Sequence, residues 1–219
     1  LAVSGENAAR LEELGKELAK LDEEIGGINP GQKFDPEKVR KQARFQGAMR
    51  NYQMALAQEK PEAEIAALEA KVKQNAPDEF DFEEFKKNFK FQRAYMNYYR
   101  AATGESDKDK LDLLAKELQA IQIKNAMMLN DVAWSLLTDE KIKSRDLNLA
   151  LAMTKGAYDA CDGKEAGIVD TYARALADTG KLSEAIRYQN EAIKLCKDDE
   201  QKSALKKTLE EYEKKASSK

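Results

Sequence analysis

The sequence offers few residues that could carry out covalent or metal chemistry. It contains two cysteines, Cys161 and Cys196, and no histidine. Histidine is the commonest general base and the commonest metal ligand, so either kind of site would have to be built from carboxylates and thiols. A zinc site with only two cysteines would need carboxylates to complete it, which is unusual. We therefore predict no metal site.

Sequence motifs of known catalytic sites are also missing. The chain has no glycine-rich dinucleotide or phosphate loop, no Gly-x-Ser-x-Gly and no Cys-x-x-Cys. A pair of carboxylates could still act as acid and base, but no spacing of Asp and Glu singles out such a pair. We therefore predict no catalytic residue and no cofactor, and we expect that the chain itself is not an enzyme.

The composition predicts a helical protein. Hydrophobic residues make up 42% and charged residues 35% of the 219 residues, and only four prolines and 11 glycines interrupt them. No apolar run approaches the roughly 20 residues that span a bilayer. A net charge of −3 argues against nucleic-acid binding, which needs a basic face. One basic cluster is expected to be the solvated face of a helix: Lys38, Arg40, Lys41, Arg44 and Arg50.

An internal repeat organises the C-terminal half of the chain. Three pairs of residues match at a separation of 35, namely Ala150 and Ala185, Ala157 and Ala192, and Cys161 and Cys196. The alanines within each copy are seven apart, so they share one face of a helix and let a neighbouring backbone approach closely. A period near 34 residues is the length of one helix–turn–helix unit in a helical solenoid.

The second copy of this repeat resembles the tetratricopeptide repeat family. The family's pattern of small and large residues is matched by Tyr172, Ala173, Leu176, Gly180, Ala185 and Ala192. Gly180 falls at the turn between the two helices, where a residue tolerant of positive φ is needed. The sequence departs from the family at Gln189, where a large aromatic residue is usual, and at Lys197, where a proline would close the repeat.

This resemblance implies an all-α helical array with right-handed helix-turn-helix repeats over residues 105–219. The preceding copy is looser, because the stretch from Thr138 to Arg145 makes an overlong turn between its helices. The charged stretch from Asp198 to Lys215 is expected to form a helix that caps the array.

The resemblance also implies a surface for a protein or peptide partner, because the first helix of each unit lines the concave face in this family. Carried over to this sequence, that face comprises Asn130, Asp131, Trp134, Asp170, Arg174 and Asp178. Opposite charges four residues apart also stabilise a helix that binds nothing. We expect Trp134 to be a core residue rather than a contact.

The two cysteines fall at equivalent positions in successive second helices. Neighbouring helices lie about 8–10 Å apart, whereas a disulfide needs Cα atoms within about 7 Å. Free buried thiols are therefore favoured for Cys161 and Cys196. A disulfide between them is the alternative, which an oxidising compartment would favour.

A second resemblance concerns the strings Leu129-Asn-Asp-Val-Ala-Trp134, Ala150-Leu-Ala and Ile168-Val-Asp-Thr-Tyr-Ala-Arg174. They are similar to helical extensions that follow a thioredoxin-like domain in bacterial redoxin and thiol-disulfide oxidoreductase proteins. This resemblance implies a periplasmic or secreted module, with a cytoplasmic one as the alternative, and it transfers no catalytic residue. The chain begins at Leu1 rather than Met, as expected of a mature form or an excised fragment.

Residues 1–104 are expected to form an N-terminal region of about four helices. A leucine seam from Leu11 to Ile25 predicts the first helix, which packs within the chain or against a second copy. Half of the chain's aromatic residues lie between Asp78 and Thr103, where helical spacing favours a core helix. From Asp107 the apolar spacing predicts one long helix that reaches Met128.

The function favoured by these observations is a non-enzymatic interaction or spacer module. One alternative is an enzyme or ligand-binding domain that uses the aromatic helix 80–99 as a pocket wall. Another is a structural protein that self-associates through the leucine seam. The sequence names neither the partner nor the oligomeric state.

Overall fold

The computed structural model describes residues 9–10, 12–17, 20 and 36–218, and all regular structure in these residues is helical. The prediction of an all-α protein is therefore confirmed. From residue 36 onward the helices are α1 (Pro36–Ala57), α2 (Glu62–Asn75), α3 (Phe82–Thr103), α4 (Lys108–Gln119), α5 (Ala126–Thr138), α6 (Leu147–Ala160), α7 (Ala166–Asp178), α8 (Leu182–Leu195) and α9 (Asp199–Ser217).

The chain divides into two compact units, Leu1–Phe82 and Glu83–Lys219. The boundary predicted at residue 104 falls inside the second unit, at the turn between α3 and α4, and the division into domains there stays a prediction. Most of the predicted leucine seam lies outside the described residues. Of its members the structure describes Leu14, whose side chain is exposed.

In the first unit, α1 packs against α2 around three buried residues, Tyr52, Ala55 and Val72. The ring of Phe45 meets that of Phe80 edge to face, with 4.8 Å between their centroids. The predicted basic cluster lies on α1, where its side chains are exposed apart from the half-exposed Arg40. Arg40 pairs with Glu37 at 2.6 Å, so this face of the helix is solvated as expected.

In the second unit, the aromatic helix α3 lies against α5. Phe91 and Tyr98 are buried in its main hydrophobic core, as predicted for a core helix. The Tyr95 hydroxyl donates to Ser135 Oγ at 2.7 Å, and the Tyr99 hydroxyl donates to Asp139 Oδ2 at 2.7 Å. The partners in both hydrogen bonds are 40 residues apart, so α3 and α5 run parallel.

The C-terminal helices pack in succession. Each of α5, α6, α7 and α8 contacts the helix that follows it, and α5 also contacts α7. The matched alanines of the sequence repeat have no exposed surface, namely Ala150, Ala157, Ala185 and Ala192. Their lack of bulk lets these helices approach closely, which explains why the repeat conserves small residues at these places within the chain.

The predicted long helix from Asp107 to Met128 is wrong, because α4 ends at Gln119. Asn125 then caps α5: its backbone is extended, and its side chain accepts a hydrogen bond from Met128 N at 3.0 Å. An N-cap side chain of this kind satisfies one of the unpaired N–H groups at a helix start. The apolar spacing runs on from α4 into α5, so it did not reveal the break between them, which the Asn125 cap marks.

The overlong turn between α5 and α6 is held by Asp139 and Arg145. Asp139 accepts hydrogen bonds from Lys141 N and the Tyr99 hydroxyl, and together they lower the pKa of its carboxyl. The Arg145 guanidinium donates to the carbonyl oxygens of Leu137 and Asp139. Ile142 is buried beneath the turn. These contacts give the turn a defined conformation despite its length.

Candidate functional site

The α5 helix carries an exposed apolar stripe on the side opposite its core face. Its core face comprises Leu129, Val132, Ala133, Leu136 and Leu137, all buried. On the other side Met127 is 60% exposed and Trp134 is 46% exposed. Seven residues separate these two, so they project from the same side of the helix. Asp131, which is also exposed, lies between them.

The expectation that Trp134 is a core residue is therefore wrong. The core face of α5 is filled by aliphatic side chains and an alanine, and Trp134 falls outside it in the helical rotation. An indole left in water forgoes the free energy that its burial would supply, roughly 25 cal/mol per Å². Tryptophan is enriched among the residues that dominate binding at protein interfaces, so this placement favours a contact role.

On α7, the predicted residues Asp170, Arg174 and Asp178 form one row at spacings of four. Arg174 Nε donates to Asp178 Oδ2 at 2.7 Å, and these side chains keep 42% and 28% of their surface exposed. Asp170 lies deeper, and its Oδ1 accepts a hydrogen bond from Gln189 Nε2 at 2.8 Å. Arg174 therefore sits between two carboxylates, one at the surface and one largely buried.

Gln189, on α8, is one of the two residues at which the sequence departs from the tetratricopeptide pattern that it resembles, and its contacts show what a glutamine does at this position. It is fully buried, and its Nε2 donates both to Asp170 on α7 and to the carbonyl oxygen of Leu205 on α9, the latter at 3.2 Å. An aromatic ring could make neither bond. One amide thus joins three helices, a role that sequence reasoning missed although the departure itself was visible.

Tyr212 of α9 is buried beside this network. Its hydroxyl and the Oε1 of Gln189 are buried atoms that have no hydrogen-bond partner among the described residues. Burial, followed by the charge of Asp170, raises the pKa of the Tyr212 hydroxyl. The hydroxyl is therefore neutral at physiological pH and helps to hold α9 as an uncharged, largely apolar side chain.

The preceding repeat lacks this bridge. Asn130 lies 40 residues before Asp170, as Trp134 does before Arg174. Thr154 lies 35 residues before Gln189, and its hydroxyl donates to Leu151 O within its own helix at 3.0 Å. The Oδ1 of Asn130 is buried and has no partner among the described residues. This acceptor therefore has no counterpart of the donor that Gln189 supplies to Asp170.

The structure places the six predicted site residues on two helices that pack against each other, α5 and α7. Asp170, Arg174 and Asp178 interact electrostatically in one row. Met127 lies on the same side of α5 as the predicted residue Trp134. It was missed by sequence reasoning, although the seven-residue spacing between the two was a usable signal. The use of these residues in binding stays a prediction at this point.

The two cysteines are both free in the structure. Cys161 is half-buried and its Sγ lies 3.4 Å from the carbonyl oxygen of Tyr158. Cys196 is buried and its Sγ lies 3.4 Å from the carbonyl oxygen of Asp198. Each thiol can thus donate a weak hydrogen bond to a nearby backbone carbonyl. Whether the two are joined in an oxidising compartment stays a prediction.

A cluster of three tyrosines, Tyr158, Tyr172 and Tyr188, joins α6, α7 and α8. Their ring centroids lie 4.6–5.5 Å apart, and the Arg187 guanidinium lies 4.4 Å from the Tyr188 ring centroid. Burial raises the pKa of Tyr172 to about 12. The rings pack directly on one another, so the cluster is a structural contact between helices. Its members are too irregularly spaced in the sequence for periodicity to indicate it.

Other kinds of site have little support in the described part of the chain. A cavity of about 490 Å³ in the first unit is lined by α1 and by residues that follow α2, including Phe45, Pro77 and Asp78. In the residues that the structure describes, no group of three His, Cys, Asp or Glu side chains could hold a metal ion. None of the described helices combines the length and apolarity needed to cross a bilayer.

No protein-family model matches the chain, and no curated protein or solved structure shows significant similarity to it. The geometry of the described residues is therefore the basis for any functional conclusion.

The buried carboxyl of Asp170 leads to a prediction about pH. Burial raises its pKa, while the Gln189 hydrogen bond and the Arg174 charge oppose the rise. The folded state therefore holds this proton more tightly than the unfolded state. The stability that the bound proton contributes is fully present below the ordinary pKa of 3.8. It is lost as the pH rises through the higher pKa that Asp170 has in the folded state.

We expect Asp170→Asn to raise the free energy of unfolding by about 1 kcal/mol at neutral pH, because the amide keeps the acceptor for Gln189 without burying a charge. The gain should vanish near about pH 3, where the wild-type carboxyl is also protonated. Urea unfolding at both pH values measures this. A gain of equal size at both would show that the charge of Asp170 is not its cause.

Proposed function

We propose that this chain is a non-enzymatic protein-interaction module that binds a protein or peptide segment across α5 and α7. The observation that carries the proposal is the exposed stripe of Met127 and Trp134 on α5, a helix that packs against α7 with its row of charged residues. Protein interfaces commonly have an apolar centre and a polar rim, and tryptophan is enriched among the residues that dominate their binding energy.

The helix order supports a tetratricopeptide-like reading of residues 105–219. Consecutive packing of α5 through α9, with α5 also against α7, is what such an array requires. Gly180 has a φ of +83°, as the family's turn predicts. We also propose that the helix-turn-helix repeats are right-handed and that the module lies next to a thioredoxin-like domain in an exported protein.

The proposal predicts that Trp134→Ala weakens partner binding by about 30-fold or more, the loss typical of a hot-spot residue. The fold should be unaffected, because nearly half of the side chain is already in water. Peptides selected on the wild-type protein from a displayed random dodecapeptide library supply the ligands. Their affinities for the two proteins are then compared by fluorescence polarisation.

Leu113→Ala is the matched control. Leu113 is a large apolar side chain that is 57% exposed, but it lies on α4 rather than on α5 or α7. Its removal should leave the affinities unchanged. If the selected peptides bound Trp134→Ala as tightly as the wild type, the surface of α5 would not be the binding site and the proposal would fail.

A further inference from the structure

The proposed binding surface comprises the predicted site residues of α5 and α7 together with Met127. On α5, its polar side chains without a partner among the described residues are hydrogen-bond acceptors. Asn130 Oδ1 is buried without a partner among the described residues. Asp131 is exposed, and no side chain or backbone group in the described part of the chain forms a hydrogen bond or ion pair with its carboxylate. Because Asn130 Oδ1 is buried, Asp131 is the one of these two groups that a ligand can reach. A ligand that covered Asp131 would have to bring a donor, because an acceptor placed there would leave the carboxylate desolvated and unpaired.

The charge of the surface points the same way. The predicted site residues on α5 and α7 include three carboxylates, those of Asp131, Asp170 and Asp178, and one cation, Arg174. That cation is already engaged by Asp178 at 2.7 Å and is attracted by Asp170 as well. A negatively charged ligand would have to displace these contacts, whereas a positively charged ligand meets Asp131, which has no partner among the described residues.

Trp134 adds a second reason for a cation. It follows Asp131 by three residues, so the indole and the carboxylate lie on one side of α5, about one turn apart. A cation over an indole face is attracted by the ring quadrupole, and tryptophan is the best ring for this contact. A guanidinium suits the pair best, because its plane stacks on the ring while its edge donates to a carboxylate.

From these observations, and resting on the proposed function, we infer that the partner is a peptide segment that carries an arginine beside aliphatic residues. The arginine contacts Trp134 and Asp131, and the neighbouring aliphatic side chains cover Met127. Arginine is preferred to lysine, because an ammonium offers no flat face to the indole. An acidic segment is disfavoured at the same surface.

The selection of peptides from the displayed library tests this inference through the amino-acid composition of the peptides that bind. Clones that bind the wild type but not Trp134→Ala are sequenced, and arginine next to Leu, Ile, Val or Met should be enriched about threefold or more over the unselected library. Asp131→Asn should weaken the binding of these clones about tenfold. Raising the salt concentration should weaken their binding to the wild type, because it screens the exposed pair, and should have less effect on Asp131→Asn. Asp112→Asn, the same change at an exposed position of α4, should have no effect.

The outcomes separate this inference from the proposed function. Clones that depend on Trp134 but are rich in Asp and Glu, or that bind Asp131→Asn as well as the wild type, would overturn the cationic partner and leave the interaction surface intact. Recovery of no clone that depends on Trp134 would overturn both. Circular dichroism of each variant confirms that the helices are retained.

Discussion

Replacing Gln189 with leucine is expected to lower the free energy of unfolding by about 3 kcal/mol. The two side chains are similar in size, so the change removes hydrogen bonds rather than volume. It leaves a largely buried carboxylate on Asp170 without its donor and the carbonyl oxygen of Leu205 without its side-chain partner. Leaving one buried polar group unsatisfied costs about 1–3 kcal/mol, and more if the group is charged. Urea unfolding followed by circular dichroism measures the loss.

Two controls separate the hydrogen bonds from the leucine itself. Asn190→Leu changes an exposed amide one residue away and should shift stability by about 0.5 kcal/mol or less. Adding Asp170→Ala to Gln189→Leu should recover more stability than Asp170→Ala gains by itself, because the carboxylate that lost its donor is removed. If the two changes simply added, Asp170 and Gln189 would not be coupled and the proposed bridge would be wrong.

Replacing Gly163 with alanine is expected to destabilise the second unit by about 2–3 kcal/mol, from two causes. Its φ is +64°, a left-handed conformation that costs a residue with a Cβ about 1–2 kcal/mol. The added Cβ would also lie 2.6 Å from the Tyr158 ring, which is held by Tyr172, Tyr188 and a hydrogen bond to Glu191. The ring must move, and overpacking of this kind costs about 1–3 kcal/mol.

Two other glycines provide matched controls for Gly163. Gly180 also has a positive φ, of +83°, but a Cβ there would meet nothing within 4 Å. Gly180→Ala should therefore lose only the stability that the left-handed backbone conformation costs. Gly167 is helical and equally open, so Gly167→Ala should be neutral or stabilising by up to about 1 kcal/mol. Thermal unfolding of the three variants ranks their stabilities. If Gly163→Ala lost no more than Gly180→Ala, the contact with Tyr158 would have no energetic weight.

Local signals in the sequence were sufficient for several helix starts and turns. Asp107 and Asp198 cap helices as their residue types suggest, and Gly180 ends α7 with a positive φ. Alanines seven apart, such as Ala185 and Ala192, marked the buried faces that neighbouring helices approach. These features depend on residues within one or two turns of each other, so spacing along the chain reports them directly. The same spacing missed the break before α5, which one capping side chain imposes.

The sequence by itself therefore determined the helical class, the repeat and the rows of polar residues on α5 and α7. Only the tertiary structure decided which long-range partner each side chain has. It placed α3 parallel to α5 through Tyr95 and Ser135, left Trp134 in solvent, and joined Gln189 to Asp170 and α9. Helical periodicity tells which side chains share a face, but the neighbour that covers a face is set by packing between distant segments, which no local pattern encodes.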